Sequence, residues 1–169
     1  MLIRTLRVLA TDSMGRLWMA GRDAELVRFD SASGRLDHFP RAPRGILALL
    51  PTKAGGLWIG ARAGGLSHLD PETGAILTYR HDPEDPLSLS KNDVAALYED
   101  RAGNLWIGCW NGGVNMLDPF GQAFHTFRRR PRVADSLPDD DVTAITETPV
   151  KPPSSKNAPI TKSGGQIAS

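Results

Sequence analysis

The chain has 169 residues, 40% of them hydrophobic, and a formal net charge of +1, enough length and apolar content for one domain with a real core. A near-balanced charge argues neither for nor against nucleic acid, whereas a single cysteine, Cys109, excludes an internal disulfide or a thiolate metal cluster. No apolar run reaches the roughly 18 residues of a membrane span, and Arg4 and Arg7 interrupt what would be the apolar core of a signal peptide. As written, the chain carries no membrane segment and no export signal, which by itself reads as cytoplasmic.

Residues 1–5 read as a stub ahead of the first regular piece. Leu6–Thr11 is an apolar run of strand length, Arg16–Ala20 a second, Glu25–Phe29 an alternating third and Arg35–Phe39 a more polar fourth. Ser13–Gly15, Arg22–Ala24 and Asp30–Gly34 supply the turns between them. The same four pieces return from Ile46 and again from Val94. Their signature is a hexamer written three times: Gly-Arg-Leu-Trp-Met-Ala at 15–20, Gly-Gly-Leu-Trp-Ile-Gly at 55–60, Gly-Asn-Leu-Trp-Ile-Gly at 103–108.

The register extends well beyond Trp18, Trp58 and Trp106. Twelve residues before them stand Leu6, Ile46 and Val94; twelve after them stand Asp30, Asp70 and Asp118; nine further on stand Phe39, Tyr79 and Phe127. The tryptophans are 40 and then 48 residues apart, the span of a four-stranded propeller blade. Gly15, Gly55 and Gly103 each end a strand in a tight turn that needs φ > 0. Gly60 and Gly108, replaced by Ala20 in the first copy, let a neighbouring backbone come close. In Asp70-Pro71-Glu72-Thr73-Gly74 the carboxylate accepts local N–H groups and Gly74 takes the left-handed position; the third copy moves that glycine to Gly121.

The inner strands carry fixed columns, Val8, Ala48, Ala96 and Ala144, then Leu9, Leu49, Leu97 and Ile145. Small residues in one column suit a crowded position near a propeller axis, and the outer strands grow more polar. A fourth repeat opens at Val142, on the 48-residue step from Val94, and loses register after Glu147. From Pro149 the chain is rich in Pro, Ser and Lys with no acidic residue, a composition that predicts disorder. The expected fold is therefore all-β, a partial β-propeller of three four-stranded blades plus the start of a fourth. It occupies 1–146, with blades at 6–40, 46–80 and 94–128 and an aborted repeat from 142, followed by a disordered tail over 147–169. A repeat that starts in mid-architecture and stops early reads as a fragment of a longer gene.

The phrases VAALYEDRAGNLWIG and GGLSHLDPETGAILTYRHDPEDPLSLSKNDV, with the repeated GGL/GGV before strand three, resemble the two-component regulator propeller repeat. The resemblance covers roughly residues 6–146. It implies the sensor region of a hybrid two-component protein or a diguanylate cyclase, a periplasmic propeller that binds a small ligand and signals through a membrane helix. Any kinase or cyclase activity would belong to the parent protein, not to this chain.

A repeated residue serves repeated packing, so Trp18, Trp58, Trp106, Asp30, Asp70, Asp118, Gly15, Gly55 and Gly103 are expected to be structural. Function sits where the copies differ. Four residues after each core tryptophan come Arg22, Arg62 and Trp110, in the turn between strands two and three, and strand alternation puts that turn on the same end as the connections between blades. Trp110 with Asn111 and the arginines offers a flat ring and directional donors, the mixture a sugar pocket uses. His38, His68, His81 and His125 show no metal-ligand spacing, and Asp82, Glu84 and Asp85 are interleaved with prolines as in a solvated loop, so no metal and no cofactor are expected. The basic run Arg128, Arg129, Arg130 and Arg132 stands beside Asp135, Asp139, Asp140 and Asp141, which argues against nucleic acid. No nucleophile elbow or phosphate-binding loop is present. The leading expectation is a ligand-binding sensor module for a carbohydrate or similar small molecule. Its alternatives are a protein-interaction propeller and, third, a propeller lyase or hydrolase. Open end faces should leave either a poorly soluble monomer or self-association in which two copies supply six blades.

Overall fold

Short apolar runs separated by glycine turns fold back on themselves, and in the computed structural model each repeat does so three times. The structure describes residues 6–21, 25–117, 123–134 and 136–147. The first sheet comprises β1 (Leu6–Thr11), β2 (Leu17–Gly21), β3 (Leu26–Asp30) and β4 (Arg35–Phe39). The second comprises β5 (Ile46–Pro51), β6 (Leu57–Ala61), β7 (Gly65–Leu69) and β8 (Ile76–Tyr79), and the third β9 (Val94–Glu99), β10 (Leu105–Cys109), β11 (Gly113–Leu117) and β12 (His125–Phe127). In each sheet the strands pair antiparallel in chain order. The second strand of the first sheet starts one residue later than the sequence predicts, because the Asp12 carboxylate holds the Arg16 N–H in the turn; the third also starts one residue later, at Leu26.

The turn glycines sit where they are needed: Gly15, Gly55 and Gly103 have φ of 76°, 95° and 87°. Asp30 and Asp70 accept N–H groups two and three residues on, at 2.9 and 3.4 Å in both cases, and Gly74 takes φ 71°. Asp118 and Gly121 lie outside the described residues, as do Arg22 and the tail from 148.

Sheets pack side by side with their first strands together, each seam joining the trailing face of one sheet to the leading face of the next. The first seam buries Trp18, Ala20 and Leu26 against Ile46, Leu57, Ile59 and Leu69. The second buries Leu66 among Leu89, Val94, Leu105, Ile107, Leu117 and Phe124, with Trp58 and Tyr79 packed on it. The repeat's second glycine makes the approach possible: a Cβ on Gly60 would lie 2.6 Å from Cγ1 and 2.9 Å from the carbonyl oxygen of Val94. The small column lies opposite these positions, with Val8 paired to Ala20, Ala48 to Gly60 and Ala96 to Gly108. The tryptophans pack on the fourth-strand aromatics, Trp18 on Phe39 at 5.1 Å, Trp58 on Tyr79 at 6.1 Å and Trp106 on Phe127 at 5.8 Å between ring centroids. Burial is greatest in the second and third strands of each sheet and falls at the fourth, with β12 wholly exposed.

The fourth repeat begins as expected. Val142 sits over Gly108, where a Cβ would meet its Cγ1 at 2.7 Å, and the Val142 N–H donates to the Cys109 carbonyl at 3.3 Å. Residues 142–147 nevertheless form no strand, since among the described residues no second strand lies beside them to complete a ladder.

Candidate functional site

Backbone hydrogen bonds fix which end of the molecule carries the variable turns. Arg62 N–H donates to the Gly45 carbonyl at 2.9 Å and Trp110 N–H to the Asp93 carbonyl at 3.0 Å. Ala63 N–H reaches the Asp93 carboxylate at 3.0 Å, and Gly65 N–H the Asn92 carbonyl at 2.9 Å. The turns after β6 and β10 thus lie against the connections between sheets, as strand alternation predicts. Asn111 and its counterpart Ala63 both take φ 52°, a left-handed conformation that asparagine tolerates better than most residues, so Asn111 has a backbone reason to be there.

Two of the variable positions meet. The Arg62 guanidinium carbon lies 5.9 Å from the centroid of the Trp110 ring, a cation–π distance worth about 0.5–1 kcal/mol at an exposed site. Trp110 is half-buried while Arg62 and Asn111 are exposed. Trp110 also lines a cavity of about 210 Å³ along the first strands, together with Arg7, Leu47, Ala95 and Thr143. Arg22 lies outside the described residues.

Three of the cavity residues, Arg7, Leu47 and Ala95, share one structural cause. Pairing shifts register between Leu6 and Val8 opposite β2, between Ile46 and Ala48 opposite β6, and at Gly108/Cys109 opposite β9. Each shift leaves one residue of the first strand unpaired: Arg7, Leu47 and Ala95. A bulge re-aims the side chain it carries, and here all three residues line the cavity beside Trp110. Thr143 follows on the 48-residue step. Sequence reasoning missed this column, although the signal was present: Arg, Leu, Ala and Thr occupy it in turn while the two columns after it hardly vary.

Two larger hollows lie elsewhere. One of about 590 Å³ runs along the trailing face of the third sheet, lined by Trp106, Val114, Phe127, Leu137 and Ile145. The other, about 460 Å³, lies between the two connections and mixes Asp82 and Asp85 with Arg128, Arg129 and Arg130, so its charges oppose one another. The His68 ring lies tilted against Trp58 with centroids 4.5 Å apart, and burial, partly offset by Asp70, holds its pKa below the usual value. Burial pushes the Cys109 thiol upward. The carboxylates of Asp82 and Asp85 accept the Glu84 and Leu87 N–H groups, and among the described residues no three His, Cys, Asp or Glu side chains are placed to share a metal ion.

Three four-stranded antiparallel sheets, packed face to face with first strands inward, are part of a β-propeller. Residues 88–111 match the family model described as the two component regulator propeller, so the chain carries a repeat of the two component regulator propeller family. No curated protein sequence matches it. Among solved structures it is similar to the extracellular domain of the hybrid two component system BT3049 from B. thetaiotaomicron, with 22% identity, TM-score 0.65, and 83% of this chain covering 20% of that one. The extracellular domain of the one component system BT4673 from the same organism gives 19% identity and TM-score 0.65, with 84% of this chain on 19% of that one. Virginiamycin B lyase from Staphylococcus aureus gives 15% identity and TM-score 0.58, with 76% of this chain on 43% of that one. The chain spans about a fifth of the length of the first two; these likenesses show the propeller fold.

Proposed function

We propose that the chain is part of the ligand-sensing propeller of a two-component-type signalling protein. Its ligand is a carbohydrate or a molecule of that size and polarity, taken at the end that carries Trp110. The observation that carries this reading is the convergence of Trp110, the bulge residues Arg7, Leu47 and Ala95, and Thr143 on one hollow, with the Arg62 guanidinium beside the Trp110 ring. A flat aromatic ring, guanidinium donors and a short apolar floor together match the mixed apolar and polar faces of a sugar ring. The fold likeness to extracellular domains of two component systems supports a periplasmic or extracellular setting. It also supports an output carried by other parts of a larger protein. A protein-interaction role is the rival, and it needs no hollow at this end. Catalysis is a third reading, and the likeness to a lyase fold at 15% identity adds no acid–base pair to the cavity lining.

Calorimetry against a panel of mono- and disaccharides tests the proposal. A sugar that binds the wild type should bind Trp110→Ala several-fold more weakly, taking the roughly 1–3 kcal/mol lost with a stacking aromatic on nucleic acid as a guide. Absence of any heat across the panel, or equal affinity in the two proteins, would rule out this site.

A further inference from the structure

The column around the hollow beside Trp110 changes in chemistry from one sheet to the next. It runs Arg7, Leu47, Ala95 and Thr143, a guanidinium, two apolar side chains and a hydroxyl. Val8 and Ile46 add further apolar surface. Among the described residues Arg7 is the only ionisable side chain that lines the hollow, and no carboxylate lines it. Arg62 brings a second guanidinium nearby, its carbon 5.9 Å from the Trp110 ring centroid.

Several arginines of the chain are answered from within the fold. Arg16 meets Asp12 at 2.8 Å, Arg35 meets Asp37 at 2.7 Å and Arg101 meets Glu147 at 3.4 Å. Arg7 and Arg62 form no ion pair among the described residues. Asp93 lies in the connection next to Trp110, whose N–H its carbonyl accepts, but its carboxylate is taken by the Ala63 N–H at 3.0 Å. A concave site with one sign of charge and apolar walls concentrates ligands of the opposite sign. A guanidinium is matched by a planar carboxylate, which accepts two parallel N–H donors. Size is a second constraint. A hollow of about 210 Å³ lies below the roughly 300–1,000 Å³ of pockets that take drug-sized molecules, so it suits one sugar ring and not a chain of them.

Resting on the sugar-sensing reading given above, we propose that the ligand is a hexuronate, a single sugar ring with a carboxylate in place of its terminal hydroxymethyl group. The carboxylate accepts from the Arg7 guanidinium, and the apolar face of the ring lies on Trp110. Leu47 and Ala95 supply the apolar wall, and the Thr143 hydroxyl is left for the hydroxyls of the sugar. Arg7 is then the residue that selects an acidic sugar over its neutral parent, because the two share a ring and only one of them answers the charge. A neutral sugar leaves the guanidinium to water at little cost, since Arg7 is exposed. The selection therefore comes from attraction to the carboxylate and not from exclusion of the hexose.

Calorimetry on the full chain with glucuronate and galacturonate, each beside glucose and galactose, tests the assignment. The acid should bind roughly tenfold or more tightly than its neutral parent at low salt. That margin should shrink as salt is raised, because an exposed pair is screened. Arg7→Gln should bring the ratio of acid to neutral affinity close to one, and Arg7→Lys, which keeps the charge but loses the fork, should restore part of it. Arg7 is exposed on a bulge, so neither change should move the urea midpoint. Trp110→Ala should weaken acid and neutral sugar alike and keep their ratio. Equal affinity for acid and neutral sugars, both weakened in Trp110→Ala, would overturn the hexuronate and leave the sugar site standing. A preference that survives Arg7→Gln, or tighter binding of glucose 6-sulfate than of glucuronate, would overturn it as well. No heat from any of these sugars would overturn it together with the sugar-sensing reading.

Discussion

The indole Nε1 of Trp106 donates to Oδ2 of Asp100 at 2.9 Å. The same carboxylate accepts the N–H groups of Ala102 and Asn104 and the Asn104 side chain, each at 2.9 Å. One acid thus shapes the turn after β9 and orients the ring that the third blade packs on. Asp12 and Trp18 repeat the arrangement at 3.2 Å, whereas the second blade has Thr52, whose hydroxyl bonds the turn at Gly56 instead.

This relationship predicts a contribution to acid sensitivity from the first and third blades, beside that of Asp70 in the second, whose pKa the Thr73 hydroxyl also holds low. The Trp106 and Asn104 hydrogen bonds lower the Asp100 pKa from 3.8 to about 2. For Asp12, burial raises the pKa, but hydrogen bonds from Arg16, Met14 and Trp18 outweigh it and leave it lowered. A depressed carboxylate contributes stability that is complete above its unfolded pKa and is lost as pH falls through the folded one. Urea midpoints should therefore hold down to about pH 4 and fall between there and about pH 2. Asp100→Asn should flatten part of that decline, and an unchanged pH profile in the variant would show that the indole bond carries no linkage.

Glycine at the seam is a second test. Gly60→Ala places a methyl group 2.6 Å from Val94 Cγ1 and 2.9 Å from its carbonyl, and backbone cannot step aside as a side-chain end can. Overpacking of this kind costs about 1–3 kcal/mol. The reverse change, Ala20→Gly, removes a methyl group buried in the first seam and adds backbone entropy of about 0.5–1 kcal/mol. Both should lower the urea midpoint, Gly60→Ala the more. Equal midpoints for Gly60→Ala and wild type would mean the seam is looser than its geometry shows.

Asn115 is fully buried and ties the third sheet to the connection before it. It accepts from Ser90 N–H and Thr126 Oγ1, both at 3.0 Å, and donates to Ser90 Oγ at 2.8 Å. Asn115→Ala strands those groups without water, at a cost of about 1–3 kcal/mol. Hydrogen exchange should then quicken at Ser90 and its neighbours before it quickens in the first sheet; uniform quickening would show that the network is not local.

The blades were legible in the sequence because packing repeats: Trp18, Trp58 and Trp106 recur with their glycines, and a period of 40 or 48 residues leaves few other folds. The end of the molecule carrying Arg62 and Trp110 was legible too, since strand alternation alone places the turns. What stayed hidden needed register. Arg7, Leu47 and Ala95 line the cavity only because each is the extra residue of a bulge, and a bulge depends on the partner strand rather than on its own side chain. Asp12 and Asp100 were hidden for a similar reason, as a bond from residue 106 back to residue 100 appears only once the turn between them is closed.

Ala95 offers the sharpest test of the cavity, because its fold and its function can be separated. It is a half-buried bulge residue that lines the hollow. The second blade carries Leu47 at the same place, so the backbone accepts a larger side chain there. Ala95→Leu should accordingly keep the unfolding midpoint of the wild type. Ala95→Trp fills much of a space of about 210 Å³ and sets its ring against Trp110, with no hydrogen-bonded neighbour displaced. If a sugar occupies the hollow, Ala95→Trp should weaken its binding at least tenfold, about 1.4 kcal/mol, with Ala95→Leu in between. The ordering matters more than the size of either effect, since a ligand held only at the rim by Arg62 would ignore both changes. Calorimetry on the three proteins, each first shown to unfold cooperatively at the same denaturant concentration, decides it: undiminished binding by Ala95→Trp would remove the hollow from the site.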